Sequence, residues 1–168
     1  MSKLQTQTEK MVQKTKRIII CPYAQKMRMD LNPLSKINPK NYKYFPELIQ
    51  LLKKEGYYLI QIGKGDEEKL QGIDEYQFDL SFKELKVLLD ECYTWISVDS
   101  FFPHFAAYYQ KKGIAIFTVT DPKIFGHDTN INLLKGRMYL RPDQFVWHEK
   151  CPWNDNAHIE PEKIIKEL

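Results

Sequence analysis

The chain has 168 residues and a mass of 20.0 kDa, with 43% hydrophobic and 28% charged residues and only seven glycines. That profile fits one globular domain able to bury a real core without disulfides, and two full domains would be a tight fit. Twenty-five Lys and Arg against 22 Asp and Glu leave a net charge of +3, with the signs interleaved, which is too weak to indicate nucleic-acid binding. Three cysteines, Cys21, Cys92 and Cys151, are widely spaced and odd in number, which reads as reduced thiols of a cytoplasmic protein and indicates no metal site.

In chain order, residues 1–16 are rich in Gln, Thr and Lys and read as a flexible or loosely helical leader. They have no apolar stretch of the kind a secretory signal needs. The basic group Lys10, Lys14, Lys16 and Arg17 reads as a solvated tail. Arg17 to Cys21 is an apolar, β-branched run stopped by Pro22, as expected of a buried parallel strand. It is far short of the roughly 20 residues that span a bilayer, so no transmembrane segment is expected. Pro22 to Lys40 is long, polar and proline-containing, and reads as a functional loop at that strand's carboxyl end.

Phe45, Leu48, Ile49 and Leu52 predict a helix from about Asn41 to Lys54, stopped by Gly56. Tyr57 to Ile62 is the next strand, followed by the turn Gly63-Lys64-Gly65-Asp66. Ser81 with Glu84 forms a capping box, and Phe82, Leu85, Leu88, Leu89 and Cys92 give the apolar stripe of the helix it opens. Trp95 to Val98 predicts a third buried strand, Pro103 to Lys112 a helix ended by Gly113, and Ile114 to Val119 a fourth strand. Beyond Asp121-Pro122 the pattern is less regular, with a strand expected at Arg137 to Leu140 and a final helix over Pro161 to Leu168. Strands separated by helices of this length imply βαβ units, so the fold class expected is α/β, a Rossmann-like three-layer sandwich with a mainly parallel sheet over residues 17–168.

Ligands of open parallel sheets bind outside the carboxyl ends of the strands, so the loops after Cys21, Ile62, Val98 and Val119 are expected to share one crevice. The most informative is Val98-Asp99-Ser100-Phe101-Phe102-Pro103-His104, where a strand runs straight into a helix N-terminus. Unpaired N–H groups and the helix dipole attract an anion there, Ser100 adds a hydroxyl, and His104 offers a proton or hydrogen bond. The plainer alternative is an N-cap at Asp99 or Ser100 and a first-turn histidine. Asp66 and Glu67 read either as acceptors for ribose hydroxyls or as first-turn acids.

Taken in order, these segments resemble the C-terminal half of the glycosyltransferase family 9 enzymes, the heptosyltransferase-like group with the GT-B fold. Asp99-Ser100-Phe101-Phe102-Pro103-His104-Phe105-Ala106-Ala107 is similar to the family's D-[ST]-G-P-M-H-L-A-A. The segment from Gly113 through Phe117-Thr118-Val119-Thr120-Asp121-Pro122 resembles its G-x-P-x-x-x-L-F-G-x-T-D-P. Gly63-Lys64-Gly65-Asp66-Glu67 looks like its G-G/A-x-x-[DE] loop, and Asp79-Leu80-Ser81 like its D-L-[ST]-G. Cys151-Pro152-Trp153 and Ile159-Glu160-Pro161-Glu162 resemble its cysteine-containing segment and the I-x-P-E helix after it.

The resemblance implies a domain that binds a nucleotide diphosphate sugar, with metal-independent, inverting transfer and no cofactor. It implies Asp99, Ser100 and His104 at the diphosphate and sugar, Lys36 as the phosphate-neutralising cation of the first loop, and Glu67 near the ribose. Gly63, Phe101, Thr120 and Asp121 complete the expected substrate-binding set, with Phe101 standing where the family has a glycine that lets backbone approach phosphate. Thr118 likewise replaces the glycine of the F-G-x-T-D-P motif. The family's N-terminal half, with the acceptor site and the general base, has no counterpart here, so no catalytic residue is assigned. A second subunit or a homo-oligomer is then expected to complete the cleft. Two other readings stay open: a nucleotide or nucleotide-sugar binding module without chemistry, and an interaction protein that kept the fold and lost the pocket.

Overall fold

Two facts about the strands organise the architecture: the four inner ones are largely buried on both faces, and all of them run in one direction. The computed structural model describes residues 16–24, 37–145 and 151–168. Six strands, β1 (Arg17–Cys21), β2 (Tyr58–Gly63), β3 (Glu75–Phe78), β4 (Thr94–Val98), β5 (Ile114–Phe117) and β6 (Ile131–Leu134), form one sheet in the order β3-β2-β1-β4-β5-β6, with every pairing parallel. This is the expected α/β sandwich.

Because side chains alternate along a strand, Ile18 and Ile20 enter one core and Ile19 and Cys21 the other. The first core is closed by α1 (Phe45–Lys54), through Phe45, Leu48, Ile49 and Leu52, and by Ile164 of α5 (Pro161–Ile165). The second is closed by α2 (Phe82–Glu91), through Leu85, Leu88 and Leu89, and by Phe102 and Ala106 of α3 (Phe101–Tyr108). Between them, α4 (Pro122–Phe125) links β5 to β6. Among the described residues no helix is long and apolar enough to cross a membrane.

Local chemistry sets several boundaries as expected. Gly56, at φ +82°, ends α1, and the N–H groups of Gly56 and Tyr57 return to the carbonyls of Lys53 and Leu52. The capping box of α2 is complete: Ser81 N–H donates to Glu84 Oε2 at 2.8 Å, and Glu84 N–H to Ser81 Oγ at 3.3 Å.

Other boundaries differ. α1 starts at Phe45 rather than Asn41, because Asn41 closes a turn on the Asn38 carbonyl and its side chain accepts from Ala24 N–H at 2.9 Å. α3 begins at Phe101 rather than Pro103, since Ser100 is the cap and Phe102 packs edge-on against Trp95, ring centroids 5.6 Å apart. It ends at Tyr108, two residues before Gln110 at φ +55°, and does not run on to Gly113. Gly113 is instead required by packing: a Cβ there would lie 2.3 Å from the Trp95 indole. The strand expected at Arg137 to Leu140 is a 3-10 turn at Arg137–Tyr139, and the true edge strand is β6, six residues earlier at its start (131 against 137). The edge strand β3 was not anticipated either. The last helix is shorter than expected and ends at Ile165. Nearly all of the leader lies outside the described residues.

Candidate functional site

Strand order reverses between β1 and β4, where one crossover leads to β2 and the other to β5, and the carboxyl ends at such a reversal are where open parallel sheets bind ligands. Cys21 and Ser97 are register partners there. Beyond them, Ser100 Oγ lies 3.3 Å from Ser97 Oγ and 3.9 Å from Cys21 Sγ. Burial pushes the Cys21 thiol up to about 12, against the hydrogen bonds of Ser97 and Ser100, so it stays protonated and is no nucleophile.

Asp99 is the centre of the site. Its carboxylate is 5% exposed, accepts the Thr120 hydroxyl at 2.6 Å, and pairs with Lys40 Nζ at 3.1 Å. β4, the 37–44 segment and the end of β5 thus converge on one carboxylate. Ser100 caps α3 by accepting Phe102 N–H at 3.4 Å. Thr118 is not free to replace its family glycine as a contact, because its hydroxyl donates to the Pro39 carbonyl at 2.7 Å, which holds the Lys40 segment against β5.

His104 stands one turn along α3, and its Nδ1 lies 2.7 Å from Nε2 of His127. Desolvation first, then the charges of His127 and Lys40, hold its pKa below the usual histidine value against the pull of Asp99. It is therefore neutral at pH 7. Phe101, 53% exposed, leans edge-on to Phe102 and leaves much of its ring to solvent at the mouth of the crevice.

Glu67 lies on the other flank. Its carboxylate folds over Gly63, where an added Cβ would come within 2.1 Å of Oε2. Desolvation raises its pKa above the usual carboxylate range. Burial pushes the Tyr23 hydroxyl up to about 12, with smaller contributions from the charges of Glu68 and Glu67. The loop carrying Glu67 is pinned by fully buried Gln61, whose amide donates to the Glu68 carbonyl at 2.8 Å and accepts from Leu70 N–H at 2.9 Å.

Of the residues expected in the site, Asp99, Ser100, His104 and Thr120 lie at the ends of β4 and β5, and Gly63 with Glu67 packs together at the end of β2. Asp121 does not join them: Arg137 grips both of its oxygens at 2.9 and 2.6 Å, and Oδ1 also caps α4 through Lys123 N–H. Lys36 lies outside the described residues, and the cation placed at Asp99 is Lys40. Lys40, His127, Gln61 and Arg137 were not singled out from sequence. Lys40 ends the polar loop that carried the signal. His127 has no periodic context and becomes visible only once α4 is recognised.

The model of glycosyltransferase family 9 (heptosyltransferase) matches residues 1–139. The chain belongs to that family. The match includes the crevice residues and stops before the Cys151 to Glu162 tail that also resembles the family. No curated protein matches the chain by sequence. Among solved structures, E. coli ADP-heptose LPS heptosyltransferase II superposes with a TM-score of 0.61 at 15% identity, over 100% of this chain and 51% of that one. E. coli heptosyltransferase WaaC with ADP gives 0.55 at 16% identity, over 71% and 38%. The dodecameric iron-containing glycosyltransferase TibC of enterotoxigenic E. coli gives 0.58 at 17%, over 88% and 42%. At these identities the likeness is one of fold. The chain spans about half or less of the length of these relatives.

Proposed function

We propose that residues 17–168 form the nucleotide-sugar donor domain of a family 9 glycosyltransferase, equivalent to the C-terminal half of a GT-B enzyme. The observation that carries this reading is the convergence of Lys40 and Thr120 on Asp99 at the strand-order reversal, with His104 one turn along α3. An arriving diphosphate draws Lys40 away from Asp99, and the start of α3 with neutral His104 supplies further donors to its oxygens. The freed Asp99 oxygen then accepts a sugar hydroxyl, and Glu67 accepts from the ribose. Phe101 rests against the nucleotide at the crevice mouth. Relatives solved with ADP and with ADP-D-beta-D-heptose support an ADP-linked sugar as donor.

Asp121 is held by Arg137, and Asp99 is held by Lys40 and Thr120 until the donor displaces Lys40. The acceptor side and the base that takes the acceptor's proton come from outside residues 17–168, from a second domain, a second subunit or a second copy. Free cysteines and a nucleotide-sugar donor support a cytoplasmic location.

A thermal-shift panel of nucleotides and nucleotide sugars tests this, with Asp99→Ala and His104→Ala alongside. Ligand at ~100 times its dissociation constant adds roughly 2.7 kcal/mol, a rise of a few degrees for a domain of this size. A selective rise with ADP or an ADP-sugar, lost in both variants, is the expected result. No shift with any nucleotide overturns it.

A further inference from the structure

His127 sits in the connection between α4 and β6, outside every motif of the crevice, yet it is the residue that contacts His104 most directly. The two rings meet edge to face at 81°, with Nδ1 of His104 and Nε2 of His127 2.7 Å apart. The approach is built rather than incidental. Gly126 closes the turn ahead of His127, and a Cβ there would lie 2.4 Å from the Pro122 carbonyl and 2.9 Å from the Asn132 side chain. The His127 carbonyl accepts from Asn130 N–H and from Asn132 Nδ2, each at 3.0 Å. Asn130, buried, donates at 3.4 Å to the Pro103 carbonyl in the first turn of α3, so the loop is tied to the residue before His104.

We propose that His127 is a positioning residue that donates its Nε2–H to His104 Nδ1 and thereby holds the His104 ring with Nε2–H presented to the diphosphate of the donor. This rests on the donor-site reading above. The reason is the proton count of imidazole: a neutral ring has one N–H, so His104 can donate from Nε2 only if Nδ1 is a bare acceptor. A partner that donates to Nδ1 enforces that tautomer and fixes the ring plane together. His104 Nε2 has no hydrogen bond to the described residues and is the atom left for a ligand. The reverse arrangement, His104 Nδ1–H donating to His127, would aim a lone pair at the anion. Asp99 and Lys40 are the charged groups acting on His104 from the neighbouring elements, with opposite effects, and Asp128 adjoins His127 in the chain. Burial first, then the charges of His127 and Lys40, outweigh Asp99 and favour the neutral ring, for which the choice of tautomer matters.

The test compares wild type, His127→Ala and His127→Gln, whose amide can still donate at similar reach. Histidine side-chain nitrogen NMR on the free protein is expected to show His104 as the Nε2–H form in wild type and in His127→Gln. In His127→Ala its two nitrogens move toward the averaged values of a mixed, mobile ring. ADP binding by calorimetry is expected to weaken roughly three- to tenfold in His127→Ala at pH 7.5 and to recover in His127→Gln. The loss in His127→Ala shrinks as pH falls through the His104 pKa, which lies below the usual histidine value, because a protonated His104 carries N–H on both nitrogens and needs no partner to orient it. A purely structural defect would persist at low pH. Finding His104 as Nδ1–H in wild type, or His127→Gln as impaired as His127→Ala, overturns the proposal. Absence of ADP binding to wild type would remove the donor-site reading, and the nitrogen spectra would then decide the role of His127 alone.

Discussion

Asp99 and Asp121 occupy matched places in the fold, each just past the end of a central strand and just before a helix, and each almost fully buried. Their partners separate them. Asp121 caps α4 and receives a two-pronged guanidinium from Arg137, so its acceptor capacity is used within the domain. Asp99 holds a single Lys40 ammonium and one Thr120 hydroxyl beside an open crevice. An ammonium on a flexible stem can be exchanged for a ligand at small cost, whereas a bidentate arginine cannot. The same residue type at the same kind of position is thus a strut at one strand end and, in the donor site proposed above, an exchangeable centre at the other.

The comparison can be broken by removing each cation in turn. Lys40→Met leaves the Asp99 carboxylate with a hydroxyl alone, and is expected to cost about 1–3 kcal/mol in urea unfolding and to weaken ADP binding by about tenfold or more. Arg137→Met is expected to lower stability while leaving ADP affinity within about twofold. Equal losses of ADP binding in both variants would erase the distinction.

The Arg137 effect also has a defined pH signature. Hydrogen bonds from Arg137 hold the Asp121 pKa below its usual value, so the pair's stabilisation is fully present above the unfolded value of ~3.9 and fades as pH falls below it. The difference in unfolding free energy between wild type and Arg137→Met should be flat from pH 5 to 7 and shrink toward pH 2–3. A difference that grows on acidification would contradict the pairing.

Smaller effects sharpen the picture. Thr120→Val keeps the side-chain shape but removes the hydroxyl on Asp99, and about 1–2 kcal/mol of stability should go with it. Gly63→Ala forces the Glu67 carboxylate aside, and since the displaced atoms end a flexible side chain, stability should change by less than about 1 kcal/mol. ADP affinity is expected to fall about two- to fivefold in that variant. Unchanged affinity would remove Glu67 from the nucleotide site.

Much of the framework is legible in the primary structure, for reasons particular residues make plain. β1, β2, β4 and β5 are short apolar runs buried on both faces, α1 carries its stripe at helical spacing, and Gly56 and Ser81 mark ends through backbone chemistry that needs no distant partner. β3 and β6 are edge strands of four residues with intermediate burial, so their pattern is too short and too mixed to stand out. The start of α3 was misplaced because Pro103 is a strong first-turn residue, yet Phe102 is drawn into the core by Trp95, and that decides where the helix begins.

For the site, the strand-end loops could be named in advance because a parallel sheet delivers all carboxyl ends to one edge. Amino-acid order alone thus determined a sandwich, its crossovers and the strand-end loops that carry Asp99, Ser100, Glu67 and His104. Which cation meets Asp99, that Asp121 is claimed by Arg137, and that His127 reaches His104 were decided only by tertiary structure. Those partners lie far apart in the chain or in loops without periodicity, and a charge or a ring acquires its role from the few ångströms that separate it from its neighbour.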